Sequence, residues 1–412
     1  MDVSLPQVVH RARDPAFLAG EVARLWAKAW RRLGRVDRRL RTLEPVGKHR
    51  GDVLLSYIID PFLLPPGTAA PHSHTHFWES FTMGRLLAEA GLRVDAIAWT
   101  HQDFVPRRQY HAIIDVRSNL ERLAPMLPDA IKVLHADTAH WHFHNAAQAR
   151  RHAELEGRRG VRIRARKQLP RTRAIEAADI ATLLGNRFTQ ETYAFAGTPL
   201  VRIPISVPFT YPWPAAKDWQ LARHRFLWFG SGGLVHKGLD LVLEAFAAMP
   251  ELHLTVCGPI RREADFERAY FRELYRTPNI DTVGWVDVRP GGRFETLARG
   301  IGALLYPTCS EGGGASVLSC MHASMVPIVP REASVDVVDA ETGIVLADCS
   351  IASIQRTARA WAARSPARVE RLARAAWHFA RNHHTKAHFE AGYRRFAHDL
   401  VARIEGRTRI DD

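Results

Sequence analysis

A chain of 412 residues exceeds what one hydrophobic core usually holds, so two domains are expected. With 46% hydrophobic and 24% charged residues it is globular in composition, which excludes a disordered or fibrous chain. The net charge of +14 admits anionic partners, but only seven of the 57 basic residues are Lys, the Arg is spread throughout, and the basic runs 31–50 and 150–173 lack the interleaved aromatics of a base-stacking surface, so nucleic acid is not expected as a partner.

Residues 14–42 read as an amphipathic helix. Leu18, Val22, Leu25, Trp26 and Leu33 follow helical spacing, and Arg24, Arg31, Arg32, Arg35 and Arg38 fill the other face. Such a helix suits peripheral contact with an anionic membrane, or docking on the domain with its arginines in water. The start of the chain, Met1 to Pro6, lacks a basic segment followed by an apolar core, and no apolar run is long enough to span a bilayer. Cys257, Cys309, Cys320 and Cys349 match no zinc or redox spacing, so a reduced, cytoplasmic location is expected, peripheral at the inner membrane surface.

The run 52–59 is continuously apolar, as in a buried parallel strand. Pro61 to Pro71 is a loop leading to His72, His74 and His76, and Phe77 to Ala90 is a helix stopped by Gly91. Strands are expected at 93–99, 110–116 and 130–135, then a polar helix from Trp141 to Glu156, a helix-to-strand passage at 174–184 and a short strand at 201–205. Pro208 to Lys217 looks like a linker. The pattern then restarts, with strands at 226–229, 252–257, 280–286, 301–306, 326–329 and 342–346 and a helix at 239–249. Helices at 351–381 and 388–404 close the chain. Alternation of this kind argues for parallel α/β sheets, whose ligands bind at the carboxyl ends of the strands.

Two glycine loops follow such strands. Gly230-Ser231-Gly232-Gly233 leads to His236-Lys237-Gly238, and its amides with the Lys237 ammonium would suit a diphosphate, although a plain turn beside a solvated Lys has the same pattern. It is neither a dinucleotide fingerprint nor a Walker loop, which removes NAD and ATP as cofactors; no cofactor is expected. The second loop, Glu311-Gly312-Gly313-Gly314 running into Ala315-Ser316-Val317, sets one carboxylate beside amides at a helix start. An acid next to an anion site suggests a hydroxyl-rich ligand attached to phosphate. The histidines His72, His74, His76, His135, His140, His142 and His144 lack a completing Asp or Cys set, so no metal is expected.

The two loops, with Leu254 to Gly258, Val283-Gly284-Trp285-Val286, Tyr306 to Gly312 and Met325 to Val329, resemble the donor half of a family 4 (group 1) glycosyltransferase. The resemblance covers 225–390, and the first half matches in layout alone. It implies the GT-B fold, an α/β architecture of two facing Rossmann-like, doubly wound parallel-sheet domains with a linker and a C-terminal helix that crosses back. The domains would be 1–48, a helical extension; 49–207, the acceptor domain; 208–385, the nucleotide-sugar donor domain; and 386–412, the returning helix. The resemblance implies catalytic roles for Glu311 at the donor sugar and Lys237 at the diphosphate, with His140 or Asp137 of the first half against the sugar. It assigns donor binding to Gly230, Ser231, Gly232, Gly233, Gly258, Gly284, Trp285, Val286, Gly312, Gly313, Gly314, Ala315, Ser316, Val317 and Ser319. The implied partners are a nucleotide-sugar donor and a glycan or lipid-linked acceptor, in retaining, metal-independent transfer serving cell-surface polysaccharide or lipopolysaccharide-type biosynthesis. Two departures stand out: no Arg lies near Ser231, and Ser319 stands eight residues after Glu311 where the family has a second, ribose-binding Glu. They motivate an alternative, a nucleotide-sugar-binding protein of the same fold with little or no turnover.

Overall fold

The computed structural model describes residues 37–411, apart from 66 and 73. Packing divides the chain into two compact units, residues 1–134 with 177–179 and 393–412, and residues 135–176 with 180–392.

In the first unit, β1 (Leu40–Leu43), β2 (Gly51–Tyr57), β3 (Leu92–Ala98), β4 (Ala112–Asp115) and the start of β5 (Ile131–Ala136) lie in the order β1-β3-β2-β4-β5. All pairs are parallel except β1 with β3. Most of the helix expected over 14–42 lies outside the described residues, but its last residues are strand, not helix. Leu40 to Leu43 pair with β3, and Thr42 Oγ1 donates to the buried Asp95 carboxylate at 2.6 Å. Ladder bonds and this side-chain bond outweigh the helical pattern of so short a stretch. Helix α1 (Thr75–Glu89) follows β2, with the His74 ring capping its first turn. The core strands are almost wholly buried, which explains their unbroken apolar runs.

The second unit begins at the end of β5 and contains α2 (Trp141–Arg159), the parallel pair β6 (Ile180–Leu184) and β7 (Leu200–Ile203), and a six-stranded sheet. Helix α2 stops at Gly160, which is left-handed. Residues 174–177, expected as helix, form a turn. The sheet runs β10 (Ile280–Gly284), β9 (His253–Cys257), β8 (Arg225–Phe229), β11 (Ala303–Leu305), β12 (Val326–Val329), β13 (Ile344–Val345), parallel throughout. This is the doubly wound order with its reversal between β8 and β11. Helices α3 (Leu239–Ala247) and α4 (Ala315–His322) follow β8 and β11. Phe226, Trp228, Phe246, Phe294 and Tyr306 are fully buried in the core. The long helix expected over 351–381 is two helices, α5 (Ile351–Ala362) and α6 (Pro366–His383). Ser365 caps α6 and Pro366 occupies its first turn, so the preceding helix ends there. A last helix, α7, spans Lys386–Asp411. Among the described residues, no helix is long and apolar enough to cross a membrane.

Candidate functional site

The loops after β8 and β11 sit at the reversal of strand order, and the chain fastens them together. Cys309 N donates to the His236 carbonyl at 3.0 Å, and His236 Nε2 to the Ser310 carbonyl at 2.6 Å. Gly238, with φ +70°, caps α3, and a Cβ on it would overlap the Pro307 carbonyl. Only glycine meets both demands.

This fastening brings Lys237 and Glu311 together. Lys237 Nζ donates to Glu311 Oε1 and, at 2.7 Å, to Tyr306 Oη. Tyr306 Oη donates in turn to Glu311 Oε1 at 2.7 Å, and Thr308 Oγ1 at 3.3 Å. Lys237 is buried, and the Glu311 side chain keeps 18% of its exposure. Burial alone would raise the Glu311 carboxyl, but the Lys237 charge and the bonds from Lys237 and Tyr306 outweigh it and lower it to about 2. Glu311 is therefore ionised throughout the physiological range. The Tyr306 hydroxyl moves the other way, raised by burial and by the Glu311 charge, and remains a donor.

Two histidines support the pair. The His236 ring lies 4.7 Å from that of His144. His236 Nε2 donates to a carbonyl, so its Nδ1 is the acceptor for Gln148 Nε2 at 3.2 Å. His144 Nε2 donates to the Lys167 carbonyl at 2.6 Å, and its Nδ1 accepts from Ser310 Oγ at 3.0 Å. Burial, with the nearby His144, lowers His236 to about 3, so its ring is neutral.

Three glycines in succession cost backbone entropy without return unless something comes close to the chain. At Gly312 the approaching group is the protein itself. A Cβ there would overlap main-chain atoms of Asp137 and Thr138, Thr138 and Gly312 form a β-bridge, and Ala139 N donates to the Glu311 carbonyl at 3.2 Å. Gly312→Ala is expected to cost about 1–3 kcal/mol, as overpacking does, read as a fall in the urea midpoint. A wild-type midpoint would refute this close approach.

The first glycine loop is also committed. Gly233 N and Leu234 N both donate to the Glu263 carboxylate, which Arg166 faces at 3.5 Å. Gly233 and its neighbour thus hold an internal anion where a diphosphate was expected. By contrast, the first-turn amides of α4, at Ala315, Ser316 and Val317, have no partner among the described residues, with Gly314 as the left-handed cap. They lie at the N-terminus of α4, on the same sheet edge as Glu311, with N–H groups that no described residue satisfies. Gly258 N bonds to the Gly284 carbonyl at 2.9 Å, and a β-bulge precedes Gly284. Beyond the bulge Val286 is buried, whereas Trp285 is 61% exposed. Ser319 is buried on α4.

His140 stands directly before α2. Its amide donates to Thr192 Oγ1 at 3.0 Å, and its ring packs edge-on against Tyr193 and Phe195. The main chain of Asp137 and Thr138 takes the position against the second loop. The residues that sequence reasoning passed over are Tyr306, His236, His144, Lys167 and Glu263. Tyr306 and His236 lay inside the motifs, one directly after β11 and one neighbour of Lys237, and were within reach. Glu263 and His144 are joined to the loops only by folding.

Two α/β sheets, parallel except at the β1 edge, the second with the Lys237 and Glu311 loops at its reversal of strand order, give the GT-B fold. Among solved structures, sucrose-phosphate synthase from Thermosynechococcus elongatus superposes with a TM-score of 0.60 at 14% identity, covering 87% of this chain and 100% of that one. Anabaena HepE in complex with UDP and glucose gives 0.52 at 10% identity, over 86% and 99% of the two chains. Its complex with UDP-glucose gives 0.51 at 10% identity, over 85% and 99%. No protein-family profile matches the chain, and no curated protein matches its sequence.

Proposed function

We propose that the chain transfers a sugar from a nucleotide-sugar donor to a glycan or lipid-linked acceptor, as a family 4 (group 1) glycosyltransferase. One observation carries this: an ionised carboxylate, Glu311, held by Lys237 and Tyr306 beside the unpartnered amides of α4. The α4 amides would receive the diphosphate, Glu311 the sugar hydroxyls, and the exposed Trp285 ring the base. As the anomeric bond breaks, charge grows on the leaving diphosphate, and Lys237 with the α4 dipole would stabilise it. The UDP-glucose complex of HepE, a protein of the same fold, supports a donor of this chemistry. Retention of configuration, independence of metal, the domain limits at 49–207 and 208–385, the extension 1–48 and the returning helix 386–412 belong to the same proposal, as does cytoplasmic work on cell-surface polysaccharide at the inner membrane.

The test is calorimetric titration with UDP-, GDP- and ADP-glucose, together with release of nucleoside diphosphate. One donor is expected to bind saturably and turn over. Trp285→Ala is expected to weaken its binding about tenfold, on the order of 1.4 kcal/mol, at an unchanged melting temperature. Absence of binding by all three, or full turnover by Glu311→Gln, would overturn the proposal. A second reading is a binder without turnover. The commitment of Gly233 and Leu234 to Glu263, and the buried hydroxyl of Ser319 in place of a second acid, favour it. Saturable binding with no release of diphosphate would establish it.

A further inference from the structure

A cavity of about 550 Å³ opens in the second unit beside the start of α2, lined by residues other than the Lys237 group. Its chemistry is mixed in a specific way. Trp141 and Phe195 supply aromatic walls, and the Trp141 ring is fixed because its Nε1 donates to the Thr172 carbonyl at 2.8 Å. Arg171, Arg173 and Glu176 form the polar border. The Arg171 guanidinium lies 5.8 Å over the Trp141 ring and has no carboxylate partner among the described residues. His140 completes the wall; it is 8% exposed, and its Nε2 is buried without a hydrogen-bond partner among the described residues. Burial keeps that ring neutral by lowering its proton affinity. A fixed indole with an unpaired guanidinium on its border suits a ligand with an apolar ring face, hydroxyls and a negative charge. A pyranose provides the apolar face, and its hydroxyls would provide the partner that His140 Nε2 lacks. The Arg171 guanidinium, without a carboxylate partner among the described residues, favours a sugar carrying an acid group.

The cavity is tied to the proposed donor acid through the chain. His140 directly follows Ala139, whose amide is bonded to the Glu311 carbonyl. We propose that this cavity is the acceptor site, and that the acceptor is an acidic saccharide, bearing a carboxylate or a phosphate, seated on Trp141 with its charge at Arg171 and Arg173. The inference rests on the transferase reading, and it adds the class of acceptor.

Ligand-observed saturation-transfer NMR on the full chain tests it, with glucuronic acid, glucose 6-phosphate and neutral glucose as probes. At least one acidic probe is expected to bind, with glucose at least fivefold weaker; whichever acid binds better names the charged group. The exposed double variant Arg171→Gln/Arg173→Gln is expected to reduce acidic-probe affinity at least fivefold and bring it near that of glucose. Trp141→Ala is expected to remove the signal of every probe. Saturating UDP is expected to leave the acidic-probe signal in place. Silence from both acids, equal binding of glucose, indifference to the double variant or displacement by UDP would each overturn the proposal. Failure of UDP to bind, measured in the same samples, would instead count against the transferase reading and leave the saccharide result to stand as binding alone.

Discussion

Lys237→Ala is expected to cost about 3–5 kcal/mol of stability and to abolish donor turnover, because it leaves the Glu311 carboxylate largely buried without its cation. Tyr306 and Thr308 still donate to Glu311 Oε1, so the acid does not lose every partner. They do not supply charge, and burial would then raise the carboxyl toward its protonated form. Glu311→Gln is expected to be milder in stability, since an amide still accepts from Lys237, yet equally harmful to turnover. The double variant Lys237→Met/Glu311→Leu separates the two effects. It is expected to be more stable than Lys237→Ala while remaining inactive, because an apolar pair of similar volume removes both desolvated charges together. Urea unfolding at pH 7.5 and nucleoside diphosphate release measure the two quantities. A double variant as unstable as the sum of the single changes would show that the pair does not act as a unit.

Acid is expected to unfold the chain from well above the carboxylate range. His236 is lowered to about 3, and His322 and His384 to about 4, in each case chiefly by burial. His322 Nε2 donates to the His384 carbonyl at 2.8 Å, which sets its tautomer, and burial outweighs this bond in keeping the ring neutral. An unfolded histidine titrates near 6.5, so as pH falls the unfolded chain takes up protons that these folded rings refuse. Their contribution is fully present above about pH 6.5 and is lost as pH falls toward the folded values. Asp240, raised to about 6 by burial, works the other way, since the folded chain protonates it first. The balance is a net uptake of roughly two protons on unfolding, or roughly 3 kcal/mol per pH unit between pH 6 and 5. Glu311 adds its part lower down: lowered to about 2, it stabilises above its ordinary range near 4.5 and ceases to as pH falls through 2. Urea midpoints at pH 7.5, 6.5, 5.5 and 4.5 give the profile, and a flat profile between 6.5 and 5.5 would rule out neutral burial of the three rings.

The strands of the second sheet were legible because parallel strands covered on both faces read as unbroken apolar runs, such as Phe226 to Phe229 and Leu254 to Cys257. The reversal of strand order, and with it the sheet edge carrying Lys237 and Glu311, followed from the alternation of elements. β1 was not legible. Leu-Arg-Thr-Leu is short and lies at a sheet edge, and the run of arginines before it carried the helical pattern onward. The break at Pro366 was present in the sequence but was overridden by the helical spacing on either side. In the site, glycine marked both loops correctly as places of close approach without saying what approaches. Gly312 meets the backbone of Asp137 and Thr138, and Gly233 meets Glu263, contacts separated by tens or hundreds of residues along the chain. Pattern within one segment carries no information on such pairings. The ring packing of His140 against Tyr193 and Phe195 is a pairing of the same kind.

The Glu263 carboxylate gives the first glycine loop a resident counterion. A phosphate arriving at Gly233 would meet an exchange reaction, in which one anion must leave, with Arg166 and Lys167 changing partners, before another gains the same two amides. Exchange yields far less free energy than occupation of vacant donors, because the amides are satisfied at both ends of the process. On the proposed function, discrimination among phosphorylated ligands would then fall to α4, whose first-turn donors are unpartnered among the described residues. The loop after β8 would then serve as an abutment for Lys237, held from within by Glu263 and Arg166.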